Sequence, residues 1–246
     1  MSRLTGQIAV VTGGASGIGA GIAVAFAREG ADIAVVDVTP ESGAADCVAA
    51  ITAEGRDALY VRADVSDEAA VRAMVDTVLS HFGSVDVLVN NAGIFTQDLV
   101  ENLLLADWDR VIGVNLRGTF LCTRMLIGHM LDRGAGRIIN IASQLGQIGG
   151  AEAAHYSASK AGVHGLTKSL AREVSQRGVL VNAIAPGPIN TPLLENETEE
   201  WRSAKLAELP LGRFGTVDEI TPPRCCSPLP TVPITRARRS APTGET

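Results

Sequence analysis

The chain has 246 residues, 46% of them hydrophobic and 20% charged, with 26 glycines and a formal net charge of −6. That length and apolar content bury a sizeable core, which excludes wholesale disorder and fits one ordinary domain or two small ones. The acidic balance argues against nucleic acid as a bulk partner, although a helix end binds a small anion without net positive charge.

The N-terminus carries Arg3 and then only the short apolar run 8–11, which lacks the length and cleavage signature of a signal peptide. That run is rich in Val and too short for a helix, so it reads as a buried strand. A glycine-rich turn, Thr12 to Gly19, follows it. Residues 19–28 place Ile22, Ala23, Phe26 and Ala27 on one helical face. Strands are expected at 33–36, 59–61, 85–89, 138–141 and 180–184. A helix at 68–81 carries Val71, Val75, Val78 and Leu79, and another spans 154–173. Strand and helix alternating at this length give an α/β fold, a three-layer, Rossmann-type doubly wound parallel sheet in a single domain over 1–220. Within it, 190–214 is expected as a lid with a helical part around four glutamates, Glu195, Glu197, Glu199 and Glu200. No apolar run reaches the roughly 18 residues of a membrane span. Four cysteines, two of them adjacent, make neither a disulfide framework nor a CxxC pair. A reducing, cytoplasmic location is expected, with no membrane partner.

The glycine turn lies between a strand and a helix, the context in which glycines let backbone approach a pyrophosphate at a helix N-terminus. No Gly-Lys-Ser/Thr ends it, so it is not an ATP-type loop. Asp37 ends the second strand. Its carboxylate can accept bonds from both ribose hydroxyls of an adenosine and would repel a 2′-phosphate, which favours NAD over NADP. A turn or cap role for Asp37, just before Thr39-Pro40, stands beside that reading.

Further motifs follow in order: Asp64-Val65, Asn90-Asn91-Ala92-Gly93, Asn115, Ser143, Tyr156-Ser157-Ala158-Ser159-Lys160 and Pro186-Gly187. With the glycine turn they resemble the short-chain dehydrogenase/reductase family over residues 4 to about 220. Within it the chain is most similar to 3-oxoacyl-[acyl-carrier-protein] reductases and sugar or polyol dehydrogenases. The resemblance implies an oxidoreductase acting on a small secondary alcohol or ketone. It places the cofactor on Gly13, Ser16, Gly17, Ile18, Gly19 and Asp37, with Asp64 and Val65 flanking the adenine. Asn91, Ala92 and Gly93 form the cleft floor, and Pro186, Gly187, Ile189 and Thr191 line the nicotinamide pocket. It makes Tyr156 the acid/base, with Lys160 binding the nicotinamide ribose and lowering the tyrosine pKa. Ser143 orients the substrate oxygen, and Asn115 holds a helix kink and a relay water. It also implies a homotetramer or dimer. An NADPH-dependent 3-oxoacyl reductase is the nearest enzyme alternative, and a non-catalytic homologue the other.

The residues support that chemistry by themselves. Free tyrosine is a poor base at neutral pH, and a nearby cation favours its phenolate. Tyr156 and Lys160 stand four positions apart, so one helix face carries both. Each alone has a plainer role: a half-buried helix aromatic, a solvated lysine, a strand-end serine. His155 lies off the phase of Lys160 and is expected as a pocket wall or exposed. Gln144 and Gln147 offer bonds to a polar substrate. Asp98, Glu101, Asp107 and Asp109 show no metal-ligand spacing, and no metal is called for.

From Pro222 the texture changes to closely spaced prolines with Cys225, Cys226 and the arginines Arg224, Arg236, Arg238 and Arg239. Neither helix nor central strand tolerates that proline spacing, so 221–246 is expected as an irregular tail. The family pattern continues instead with a helix of the type AAxVxFLAS and a strand of the type YITGxxLxVDGG. With GC-rich codons, a frame beginning one base earlier reads Ala-Ala-Val-Leu-Phe across 222–227 and reaches Asp-Gly-Gly before the end. A one-base frameshift near Thr221 is therefore expected, with the final helix and strand missing. The arginine cluster has no aromatic interleaving and is not read as a nucleic-acid patch.

Overall fold

The apolar runs line up side by side as one parallel sheet in the computed structural model, which describes residues 2–195 and 197–221. Its strands are β1 (Ile8–Thr12), β2 (Asp32–Asp37), β3 (Ala58–Arg62), β4 (Val87–Asn90), β5 (Gly136–Ile141) and β6 (Val179–Ile184), in the order β3-β2-β1-β4-β5-β6. Every residue of β1 and β4 is buried, as expected of central strands covered on both faces.

One face is covered by α1 (Gly17–Arg28) and α2 (Ala45–Ala53), through Ile22, Phe26, Cys47 and Ile51. The other is covered by α3 (Glu68–Phe82), α5 (Thr119–Asp132) and α7 (Ala154–Val174), through Val75, Leu126 and Val174 among others. The chain builds outward from β1 to β3, then returns to place β4 on the other side of β1. That reversal leaves a crevice beyond the carboxyl ends of β1 and β4, where open α/β sheets bind ligands.

Three elements frame the crevice. Between α4 (Leu105–Ile112) and α5 the helix widens to a π-turn at Gly113–Gly118, a geometry that recurs at functional sites. A short helix, α6 (Leu145–Ile148), follows β5. Beyond β6 come α8 (Glu199–Glu208), capped by Thr198 with Trp201 N–H donating to its hydroxyl at 3.2 Å, and α9 (Val217–Ile220). The helix expected within 190–214 is α8. A bridge between Ile189 and Gly215 closes this excursion.

The strands expected at 59–61 and 85–89 are β3 and β4, extended or shifted by one or two residues. The irregular tail, its shifted frame, the missing final helix and strand, Cys225 and Cys226 all fall on 222–246, outside the described residues. Cys47 and Cys122 are buried free thiols, pushed up to about 11 and about 12 by desolvation, and so are inert. Among the described residues no helix is long and apolar enough to cross a membrane.

Candidate active site

The glycine turn is shaped by what a side chain would strike. Gly13 has φ +61°, and a Cβ there would stand 2.8 Å from Ala92 Cα. A Cβ on Gly19 would lie 2.0 Å from the Gly13 carbonyl oxygen, so only glycine lets α1 start this close to the loop. Ser16, the N-cap, is extended and makes no capping bond. The first-turn amides of α1 thus keep their positive end toward the cleft.

Thr12, at the end of β1, holds the opposite wall. Its buried hydroxyl donates to Val89 O at 3.3 Å and accepts from the Asn91 and Ala92 amides, both at 3.1 Å. Asn91 Nδ2 returns two bonds, to Thr12 O at 3.0 Å and Gly13 O at 2.9 Å. The chain leaving β4 is thereby fixed to the chain leaving β1.

One hollow lies over this turn. Gly13, Ser16, Gly17, Ile18, Asp37, Asp64 and Val65 border it, with Asn91, Ala92, Gly93 and Thr191. At its end, Asp37 accepts from the Ala15 amide (3.1 Å) and the Thr39 amide (3.1 Å). The turn role read for this carboxylate is real, and each oxygen keeps a lone pair for a further donor. Arg62 pairs in register with Asp37 across β2 and β3, but its Nε donates to Val38 O at 3.0 Å and it does not border the hollow.

A second hollow continues the first, sharing Ile18, Asn91, Gly93, Thr191 and Leu193 with it. Ser143, Tyr156, Lys160, Pro186, Gly187 and Ile189 border this one, so every candidate site residue except Gly19 and Asn115 lines the joint cleft. Ser143 Oγ accepts from the Leu145 amide at 3.1 Å, which leaves its own proton to donate. Phe95 meets the Tyr156 ring edge-to-face at 4.9 Å between centroids. Burial pushes the Tyr156 phenol above its usual value, and the Ser143 side chain pulls the other way. Lys160 is 4% exposed, its Nζ donates to Ile141 O at 2.8 Å, and it sits 5.7 Å from the Tyr156 ring centroid. Burial brings it down to about 8.

Asn115 and Gly19 act from behind the cleft. Asn115 lies fully buried in the π-turn. Its Oδ1 accepts from the Ile94 amide at 2.8 Å, and its Nδ2 donates to Ile94 O at 3.0 Å and to Ser159 Oγ at 3.2 Å. Ser159 Oγ donates in turn to Tyr156 O at 2.7 Å. Asn115 therefore couples the segment after β4 to the turn of α7 that carries Tyr156.

Several expectations need correction. His155 is neither exposed nor a pocket wall. It is fully buried, with Nε2 bonded to Thr96 Oγ1 at 2.7 Å, and desolvation lowers its pKa, so it is a neutral packing group. Gln144 borders the second hollow, whereas Gln147 points to solvent. None of the four lid glutamates borders either hollow. Thr12, Ser159, Phe95, Trp201 and Lys205 were not singled out from sequence. Ser159 alone carried a signal, one turn from Tyr156 inside the same motif.

A doubly wound sheet with such a cleft at its switch point, bordered by serine, tyrosine and lysine, defines a class of dinucleotide-fold oxidoreductases. The family model described as short chain dehydrogenase matches residues 7–202. A 3-oxoacyl-[acyl-carrier-protein] reductase of Synechocystis sp. is 45% identical over 89% of this chain and 88% of its own length. A cis-4-hydroxycyclohexanecarboxylate dehydrogenase of Sinomonas cyclohexanicum is 43% identical over 87% of this chain and 86% of its own. The crystal structure of levodione reductase superposes with a TM-score of 0.85 at 40% identity, covering 89% of each chain. The chain belongs to the short-chain dehydrogenase/reductase family and is an oxidoreductase acting on CH–OH groups.

Proposed function

We propose that this chain is an NAD(H)-dependent dehydrogenase of a small secondary alcohol or its ketone, with Tyr156 as acid/base. One observation carries the reading: the cleft bordered at one end by Gly13, Ser16 and Asp37 is bordered at the other by Ser143, Tyr156 and Lys160. The residues present fit a dinucleotide. The floor at Gly13 would be filled by any Cβ, the start of α1 offers amides to a pyrophosphate, and Asp37 offers a carboxylate to ribose hydroxyls rather than to a 2′-phosphate. Asp64 and Val65 would flank the adenine, and Lys160 would reach the nicotinamide ribose.

When bound, the nicotinamide accepts or supplies the hydride at the substrate carbon. The protein's part is to place the oxygen and move its proton. Ser143 donates to the substrate oxygen, and Tyr156 gives or takes the proton at that oxygen. Lys160, 5.7 Å from the ring centroid, would favour the phenolate against the burial that raises the phenol when the alcohol is oxidised. Phe95 on the ring, and Asn115 through Ser159, keep the phenol aimed. Residues 1–220 form the working unit. A homotetramer or dimer is consistent with exposed Leu104, Leu105 and Phe120, and a cytoplasmic setting with the inert thiols.

Melting curves with NAD⁺ and NADP⁺ test the cofactor: NAD⁺ raises the transition and NADP⁺ does not. Turnover of cyclic and acyclic secondary alcohols by wild type and Tyr156→Phe tests the chemistry, and full activity in the variant refutes it. The second reading, an NADPH-dependent 3-oxoacyl reductase, is favoured by the name of the Synechocystis relative. Reduction of a 3-oxoacyl thioester with NADPH faster than with NADH would establish it.

A further inference from the structure

The hollow that holds Ser143 and Tyr156 is mostly apolar, walled by Phe95, Leu145, Leu194 and Trp201, with Asn91, Gln144 and Thr191 also at its border, and no Asp or Glu borders it among the described residues. Two lysines do. Lys160 is committed to Ile141 O and the tyrosine. The other is Lys205, four positions after Trp201 on α8 and so on the same helical face. Its side chain is 22% exposed and, among the described residues, it bonds to Glu208 Oε2 at 2.7 Å. Glu208 itself is 65% exposed and does not border the hollow. An exposed pair one turn apart is weak. An ammonium has three donors, and Glu208 uses one. An anion entering the hollow can take up the donors that Glu208 leaves.

We propose that Lys205 reads a carboxylate on the substrate, so that the site takes a keto or hydroxy acid with an apolar body whose anionic group stands apart from the reacting carbon. This rests on the oxidoreductase reading above and names its substrate class. The source of the anion follows from position. Lys205 borders the catalytic hollow and not the one over the glycine turn, where the phosphates of a dinucleotide belong. The lid glutamates, which would repel an acid, border neither hollow.

The test compares 4-oxocyclohexanecarboxylate with its methyl ester as substrates for NADH oxidation, in wild type, Lys205→Met and Glu208→Gln. Wild type prefers the acid. Lys205→Met lowers kcat/KM for the acid about ten- to hundredfold and leaves the ester within about twofold, the loss expected for one charge-assisted bond. Glu208→Gln, which frees the ammonium, lowers KM for the acid alone, and so guards against a variant that merely misfolds. NADH affinity stays constant throughout; a fall in Lys205→Met would assign the lysine to the cofactor and overturn the proposal. Equal losses for acid and ester would overturn it too, while leaving the oxidoreductase reading intact. If neither compound turns over, calorimetric titration with the acid decides. Binding that depends on Lys205 sustains the anion site, and no binding to wild type overturns it; the oxidoreductase reading is judged apart from both, by the secondary-alcohol series with Tyr156→Phe.

Discussion

Replacing Lys160 by methionine should stabilise the ligand-free protein while abolishing its activity. The ammonium is 4% exposed, and burial lowers it from 10.5 to about 8. At roughly 1.4 kcal/mol per pH unit that is a penalty of about 3 kcal/mol on holding the charge at neutral pH. Methionine keeps the bulk and forfeits the charge-assisted bond to Ile141 O, about 2 kcal/mol. A net gain of about 1 kcal/mol remains, or about 2–4 °C in Tm for a chain of this size. The sign with pH follows from linkage. The folded value lies below the unfolded one, so the penalty is complete below about 8. It fades as pH rises toward 10.5, because there the unfolded chain binds the extra proton. The assay is a pair of melting series from pH 7 to 10.5, wild type against Lys160→Met without cofactor. The variant's advantage should shrink steadily across that window as wild type catches up, and groups common to both cancel. A variant that melts lower at pH 7, with a difference flat in pH, would refute the claim that a buried charge is being held against its solvation.

Other expectations follow from single contacts. Tyr156→Phe should cost about 10²–10⁴ in kcat with Tm unchanged, because the edge contact of its ring with Phe95 persists. Asp37→Ser should raise kcat/KM for NADP⁺ about tenfold or more while lowering it for NAD⁺, by removing a like charge from the 2′-phosphate position; unchanged cofactor preference would dismiss the role given to Asp37. Gly19→Ala places a methyl 2.0 Å from the Gly13 oxygen and should weaken NAD⁺ binding in titration about tenfold or more, with α1 pushed off the turn. Thr12→Val strips the acceptor from two amides and should destabilise the fold by about 2–4 kcal/mol in urea.

The sheet was legible because central parallel strands are buried on both faces, so 8–11, 33–36 and 138–141 carry a text dominated by Val and Ile, broken only by Ala9, Ala34 and Asn140, that no helix of that length explains. Tyr156 and Lys160 were legible because helical spacing alone puts them on one face. What sequence withheld depends on contacts between distant segments. His155 looked like a wall because phase tells which way a side chain leaves its helix and not what arrives to cover it; Thr96, 59 positions earlier, is what arrives. Lys205 lay within an acidic-looking stretch, and only the seating of α8 separates it from Glu199 and Glu200. The π-turn has no composition cue, since one extra residue per turn is set by packing, and Asn115 came forward through resemblance alone.

The residues that fix the site's geometry are mostly not those that touch substrate. The segment leaving β4 is tied to β1 by Thr12 and Asn91, to the π-turn by Asn115, and through Asn115 to α7 at Ser159, one turn from Tyr156. Beneath it a buried chain runs from Thr123 through Asn90 and Asn140 to Thr167, joining α5, β4, β5 and α7 at 3.0, 2.9 and 2.8 Å. Such bonds add little net stability while satisfied and cost much when one partner is removed. A hydrophobic substitute at Asn140 would leave the Asn90 amide and the Thr167 hydroxyl each short of a partner, and would free α7 to shift against β5. Tyr156 rides on α7 and Ser143 follows β5. The loss at Asn140 should therefore appear as lowered kcat with cofactor affinity kept, since the glycine turn is anchored through β1.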